Sequence, residues 1–234
     1  MHAKLPECYS FLRKEGMEAV NAALLISKET HATRMQEYKS CVNTYQYATG
    51  GECIHRGYYC PSLIKDIVTG NCNRGKLIKN PARVKRGISY EYGFCDDKLL
   101  LIRNMDLSET EYIFHSDGKQ TGYTFDSKMV LRTITECTYA HGRLMRYFLI
   151  HLDFSGSIYS CEKEIYEYGD GDLQSVIRFI LPTTNCCSHE KYVFRHNSEG
   201  FLSSYKAIEF ENGAEKESYY WKDHWFPVSI RRRV

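Results

Sequence analysis

Cys53, His55, Cys60 and Cys72 lie in one short stretch, and thiolates and imidazoles are the side chains that hold zinc. A structural zinc is usually gripped by ligand pairs two to four residues apart, which set both donors on one turn. Cys53/His55 and Cys60/Cys72 fit that rule poorly, so neither a metal nor a cofactor is expected. Cys186-Cys187 with His189 is weaker still, because adjacent side chains diverge along a strand. A cysteine nucleophile needs only that its histidine base meet it in space. With 10 Cys and 9 His such meetings arise by chance, so a small hydrolase with a Cys/His site stays open as an alternative. Asp170 and Asp172 sit in Gly169-Asp170-Gly171-Asp172, where turn geometry explains them better than acid–base work. The chain has no G-x-x-x-x-G-K-[ST], G-x-G-x-x-G, G-x-S-x-G or H-E-x-x-H. Arg74, Lys76, Lys79, Arg83, Lys85 and Arg86, with Tyr58 and Tyr59 nearby, mix charge and rings as single-strand binders do. RNA binding through residues 74–86 is therefore a second alternative.

The elements that must position these residues are set by composition. A chain of 234 residues suffices for one large domain or two small ones. Its 19 Tyr and 11 Phe favour pleated sheet and interfaces, since a tyrosine offers an apolar ring and a wet hydroxyl. Of 31 Lys+Arg and 29 Asp+Glu, residues 1–88 hold 14 and 7, a net of +7. The rest hold 17 and 22, a net of −5. An acidic second half suits a basic partner better than nucleic acid, which is not the expected partner. The ten cysteines are scattered without a disulfide framework, and the N-terminal apolar run is too short for a signal core or a membrane span. These features point to a cytoplasmic protein with reduced thiols and no membrane partner.

Met17, Val20, Leu24, His31, Met35, Tyr38, Val42 and Tyr45 fall three, four or seven apart. That spacing predicts one apolar stripe on a long helix, or on two helices broken near Thr30, ending at Gly50-Gly51. Residues 52–88 carry turn residues and enough apolar ones to be ordered. From Gly87 onward turn residues punctuate aromatic and β-branched runs. Strands are expected at about 88–93, 98–104, 110–115, 120–126, 129–138, 144–153, 157–168, 173–181, 190–195, 201–210 and 216–221. Three segments follow: 1–50 helical, 51–87 an ordered linker region, and 88–234 the sheet. The expected fold class is α+β, an N-terminal helical segment packed on an extended antiparallel meander of hairpins. One face of that sheet should pack on the helices, and the other should be available to solvent or a partner.

Within the sheet a unit recurs: an aromatic strand, a Gly/Asp/Asn turn, then a Leu- or aromatic-led strand. It is seen in Tyr90–Leu99, Tyr112–Gly118, Thr138–Leu144, Tyr166–Leu173 and Tyr192–Leu202. These units resemble degenerate copies of the Tyr-Asp (YD) repeat of large bacterial Rhs-type toxin proteins. Tyr166-Glu167-Tyr168-Gly169-Asp170-Gly171-Asp172-Leu173 matches best, with Gly169 where the family pattern has Asp. The toxin shells are far longer than this chain. Small cytoplasmic sheet proteins of this style are similar to immunity proteins and antitoxins encoded beside polymorphic toxins. The resemblance implies a non-catalytic binding protein that neutralises a cognate, basic toxin domain by occluding its active site. Tyr166, Tyr168, Asp170, Asp172, Tyr192 and Glu209 are the expected contact residues, tyrosines as anchors and carboxylates as the steering charge.

Overall fold

The computed structural model describes residues 7–51, 54–68, 74–81, 87–169, 171–181, 188–198, 202–211 and 214–221. Two helices open it, α1 (Glu7–Leu24) and α2 (Lys28–Cys41). The break falls at Ser27, whose hydroxyl accepts the Thr30 N–H at 3.2 Å and caps α2. A strand follows, β1 (Thr44–Thr49), where the stripe had predicted continuing helix. Tyr45 and Tyr47 belong to β1, and Thr, Tyr and their neighbours prefer the pleat once packed against a sheet. A 3-10 turn (Gly57–Tyr59), a one-turn helix α3 (Lys65–Val68) and the two-residue β2 (Lys76–Leu77) lie within the expected linker.

The meander then runs without interruption. It comprises β3 (Tyr90–Cys95), β4 (Lys98–Asn104), β5 (Glu109–Ser116), β6 (Lys119–Phe125), β7 (Leu131–Ala140) and β8 (Arg143–Leu152). It continues through β9 (Ile158–Gly169), β10 (Asp172–Leu181), β11 (Ser188–His196), β12 (Leu202–Glu211) and β13 (Ala214–Trp221). All eleven expected strands are present, each within a few residues of its predicted bounds. Together with β1 and β2 they form one antiparallel sheet, ordered β13-β12-β11-β10-β9-β8-β7-β6-β5-β4-β3-β1-β2. The molecule is therefore largely β, with the helices a minor layer. Asp96-Asp97 and His141-Gly142 all have positive φ, the geometry of the tight hairpin turn that matches strand twist. Among the described residues no helix is long and apolar enough to cross a membrane.

The two faces of the sheet are covered differently. On the helix face, Tyr9, Leu12, Val20 and Ala23 of α1 pack on Ile134, Phe148, Ile150 and Cys161. A Cβ at Gly16 would lie 3.0 Å from the Cys161 sulfur, so the missing side chain lets α1 sit close on β9. Met35 and Tyr38 of α2 pack on Leu101, Tyr112 and Phe125. Buried His31 joins the helices to the sheet: its Nδ1 accepts from the Tyr112 hydroxyl at 2.5 Å and its Nε2 donates to Ala23 O at 3.2 Å. Met17 and Leu24, assigned to the stripe by spacing, are exposed, because α1 turns its Leu12–Val20 side to the sheet.

The opposite face carries a strap built from residues 54–68. The chain leaves β1, crosses the sheet from β3 toward β10, and returns to pair β2 with β1. Tyr58 and Tyr59 pack on Tyr92 and Phe94 at one end, and Leu63, Ile64, Ile67 and Val68 pack on Tyr147, Tyr166 and Val176 at the other. The expectation that this face is left free is thus corrected for the part between β3 and β10. The apolar residues between 54 and 68 find their burial there.

Candidate functional site

Alternation places residues two apart on the same face of a strand, and directly paired residues on neighbouring strands share that face. The strap face consequently collects Glu111, Glu162, Glu164, Arg178 and Glu190. Under the strap each charge is met. Arg56, 3% exposed, holds Glu111 with Nε at 3.0 Å from both carboxylate oxygens and Nη2 at 2.6 Å from Oε1. His55 Nε2 lies 3.5 Å from the same carboxylate and 2.8 Å from Thr135 Oγ1. Gly122 makes room for this pair, since a Cβ there would stand 1.8 Å from Glu111 Oε1 and 2.4 Å from Arg56 Nη2. Lys65 donates to Glu162 at 2.9 Å, and Ser62 donates to Glu164 at 2.9 Å. Arg74 donates to Asp66 at 2.5 Å and to the backbone oxygen of Cys60 at 2.6 Å, closing the strap on itself.

Burial would push the Glu111 carboxyl up, but Arg56 and His55 outweigh it and hold it at about 2. Glu162 is likewise held well below the usual range, because Arg178 and Lys65 bracket it against the cost of burial. Glu164 moves the other way: burial and the neighbouring Glu162 charge push it up to about 7.

Beyond the strap the same row of side chains continues. Backbone pairing links Glu164 to Arg178, Arg178 to Glu190, Glu190 to Glu209 and Glu209 to Glu217. Arg178 donates to Glu162 at 2.9 Å and to Glu190 at 3.1 Å, so its charge is used twice. Glu209 and Glu217 have no ion pair or hydrogen bond among the described residues. Three carboxylates thus stand on adjacent strands about 4.8 Å apart, with one shared guanidinium at the covered end. Like charges placed directly opposite each other are unfavourable in a sheet, and a row of them leaves a local negative potential.

Of the expected contact residues, Tyr166, Tyr168, Tyr192 and Glu209 lie on this face without being gathered, whereas Asp172 pairs with Gly169 and belongs to the other face. Tyr166 and Tyr192 are 1% and 6% exposed, inside the apolar cluster that the strap covers. The Tyr166 hydroxyl donates to Glu164 and accepts the Leu63 N–H at 3.1 Å, and the Tyr192 hydroxyl donates to Glu190 at 2.8 Å. Both rings are anchors for the protein's own fold. Tyr168 is half-buried, donates to Leu144 O at 3.0 Å and lines a cavity of about 560 Å3 beside the strap. Asp172 opens β10, six residues and about 20 Å along the strand from Arg178, so it does not share a cluster with Glu209. Asp170 lies outside the described residues. Glu209 alone of the six stands in the open acidic row. Glu190 and Glu217, its neighbours, were missed. A signal existed: Glu164-x-Tyr166, Glu190-x-Tyr192 and Glu217-x-Tyr219 repeat a glutamate two residues before a tyrosine, which puts both on one face of a strand.

Burial pushes the thiols of Cys60, Cys137 and Cys161 up to about 11, 12 and 12, so they are not thiolates at neutral pH. No cysteine is hydrogen-bonded to a histidine among the described residues. Of the zinc candidates, Cys53 and Cys72 lie outside the described residues, as do Cys186 and Cys187. Among the described residues, no cluster of three or more His, Cys, Asp or Glu is arranged to hold a metal. In the basic segment, Arg74 is 5% exposed and committed to Asp66, Lys76 and Lys79 are exposed, and Arg83, Lys85 and Arg86 lie outside the described residues. No protein-family model matches this chain, and no curated protein matches it.

Proposed function

We propose that the protein is a non-catalytic binding protein that seats a basic protein partner on the strap face at β11–β13. The reading rests on the row Glu190–Glu209–Glu217, whose outer two carboxylates have no basic partner among the described residues. Such a row speeds encounter with a cationic surface and fixes its register. The resemblance to YD-type hairpins supplies the partner class: a toxin domain whose active site this face would occlude, in the cytoplasm of the cell that makes both. Tyr205, which packs half-buried at the margin of the covered cluster, would contribute ring surface on the same face as the carboxylates.

The test is association with the toxin domain encoded beside the gene, measured at two ionic strengths. Glu209→Lys with Glu217→Lys should slow association about tenfold at low salt and leave unfolding unchanged, since both side chains stand clear of the core. An association rate that is unchanged in this variant and insensitive to salt would remove β11–β13 as the binding surface.

A further inference from the structure

A cavity of about 500 Å3 opens on the strap face between β3 and β9, beside His55 and away from Glu190, Glu209 and Glu217. Its size is that of a small-molecule site. Two strand irregularities build it. Phe125 pairs with Leu131 and Thr124 with Thr133, which leaves Arg132 as the extra residue on β7. Leu152 pairs with Ile158 and His151 with Ser160, which leaves Tyr159 as the extra residue on β9. A bulge re-aims the side chain it frees, and here two bulges turn Arg132 and Tyr159 toward one space.

Three polar groups of that space have no hydrogen bond or ion pair among the described residues. Arg132 Nη1 is buried with no hydrogen bond, while its guanidinium lies 4.0 Å from the centre of the Phe154 ring. Glu109 is half-buried, and no hydrogen bond or ion pair reaches its carboxyl among the described residues. Burial pushes it up, and Arg132 is near enough to pull it back. His151 forms part of the floor, also without a hydrogen bond; burial lowers it to about 4, so it is neutral at pH 7. Buried polar groups are nearly always paired, and Arg132 Nη1 is a buried one that is not; with half-buried Glu109 and His151 facing the same space, it indicates a ligand that pairs them. Leu107, Phe154 and Tyr159 form a rim, 59%, 84% and 54% exposed.

The charges define the ligand. Arg56 and Lys65, which also border the cavity, are spent on Glu111 and Glu162. Asp153 accepts from the backbone N–H groups of Ser155 and Ser157 and from the Ser155 hydroxyl within its own turn. What remains is a guanidinium and a carboxyl that face each other without touching, on β7 and β5. Their backbones are two strands apart, about 10 Å. An ammonium and a carboxylate on one carbon can meet the two groups at once, each through one hydrogen bond.

We propose that this cavity binds a free α-amino acid with an apolar side chain. Its carboxylate meets Arg132, its ammonium meets Glu109, and its side chain lies among Leu107, Phe154 and Tyr159. This site is independent of the protein-binding reading of β11–β13.

The experiment is calorimetric titration of the full chain with L-phenylalanine, N-acetyl-L-phenylalanine, L-phenylalanine methyl ester and 3-phenylpropionate. One-to-one binding of L-phenylalanine is expected, with each of the other three at least tenfold weaker. Arg132→Gln should erase the preference over the ester, and Glu109→Gln the preference over the N-acetyl compound. Phe154→Ala, at a side chain too exposed to affect folding, should weaken L-phenylalanine several-fold. No binding of L-phenylalanine to the folded wild-type chain at millimolar concentration overturns the proposal. So does equal binding of L-phenylalanine and 3-phenylpropionate, or binding that Phe154→Ala, Arg132→Gln and Glu109→Gln all leave unchanged.

Discussion

Under the strap, Glu111, Glu162 and Glu164 each receive a hydrogen bond from a residue between 55 and 65, whereas on β12 and β13 Glu209 and Glu217 receive none among the described residues. Both groups occupy the same face of one sheet. The covered carboxylates have lost water and are held by Arg56, Lys65 and Ser62, so they are parts of the fold. The open ones keep water and cost the fold only mutual repulsion. Residue type therefore does not separate a covered, paired glutamate from an open, unpaired one here; the reach of the strap does. Tyr166 and Tyr192 make the same point, since their place under the strap turns two expected partner contacts into internal ones.

The sharpest break of this comparison is to remove a covered acid. Glu111→Ala leaves the Arg56 guanidinium buried without its partner, and loss of one member of a buried ion pair costs about 3–5 kcal/mol. Equilibrium denaturation should show that loss. Arg56→Met with Glu111→Leu should recover most of it, because an apolar pair of similar size needs no compensation. If Glu111→Ala falls within about 0.5 kcal/mol of wild type, the strap is not an integral layer. Gly122→Ala attacks the same pair sterically and should cost about 1–3 kcal/mol, the usual range for overpacking.

Stability against pH should carry both signs. Glu111 and Glu162 are held low, so their contribution is complete above the unfolded carboxylate value and is lost as pH falls toward 2. Glu164 is held high, so the folded state keeps a proton that the unfolded state has lost between about 4.5 and 7. In that window the Glu164 contribution falls as pH rises, by at most about 1.4 kcal/mol per pH unit for one proton. His151, held at about 4, has the opposite slope between that value and its unfolded one, so the two largely offset each other in wild type. Glu164→Gln should therefore make stability rise with pH between 5 and 7 more steeply than in wild type and leave the acid limb intact. A slope in that window that Glu164→Gln leaves unchanged would mean that Glu164 is ionised under the strap.

The meander was legible because its signals are local. Asp96-Asp97, Asp117-Gly118 and His141-Gly142 mark turns, and the aromatic runs between them prefer the pleat whatever lies above. The β1 strand was not legible: Tyr45 continues a helical spacing, and only pairing with β3, far along the chain, decides against it. The strap was missed for a related reason. Residues 54–68 have no period of their own, and their order comes from charges and rings on strands fifty to a hundred residues away, as in Arg56–Glu111 and Ser62–Glu164. Glu209 was chosen from the net negative charge of the sheet half. That Glu190 and Glu217 stand beside it needed strand register, which composition does not carry.

The smallest effect is expected where the comparison is most exposed to refutation. Glu209 faces a glutamate on each neighbouring strand, and like charges directly opposite each other oppose the pairing. Glu209→Gln removes one repulsion on each side, keeps the shape of the side chain and breaks no ion pair. Stability should rise by a few tenths of a kcal/mol at low salt, and the gain should vanish at high salt as screening removes the repulsion in wild type. Glu190→Gln is the control. It keeps an oxygen for Arg178 and Tyr192 but removes the charge that Arg178 pairs with at 3.1 Å, and should destabilise by about 1 kcal/mol. Denaturation of both variants at two ionic strengths separates the cases. A Glu209→Gln loss as large as that of Glu190→Gln would mean that Glu209 has a basic partner within the chain. The open row would then be closed by the protein itself, and the comparison between the two halves of this face would fail.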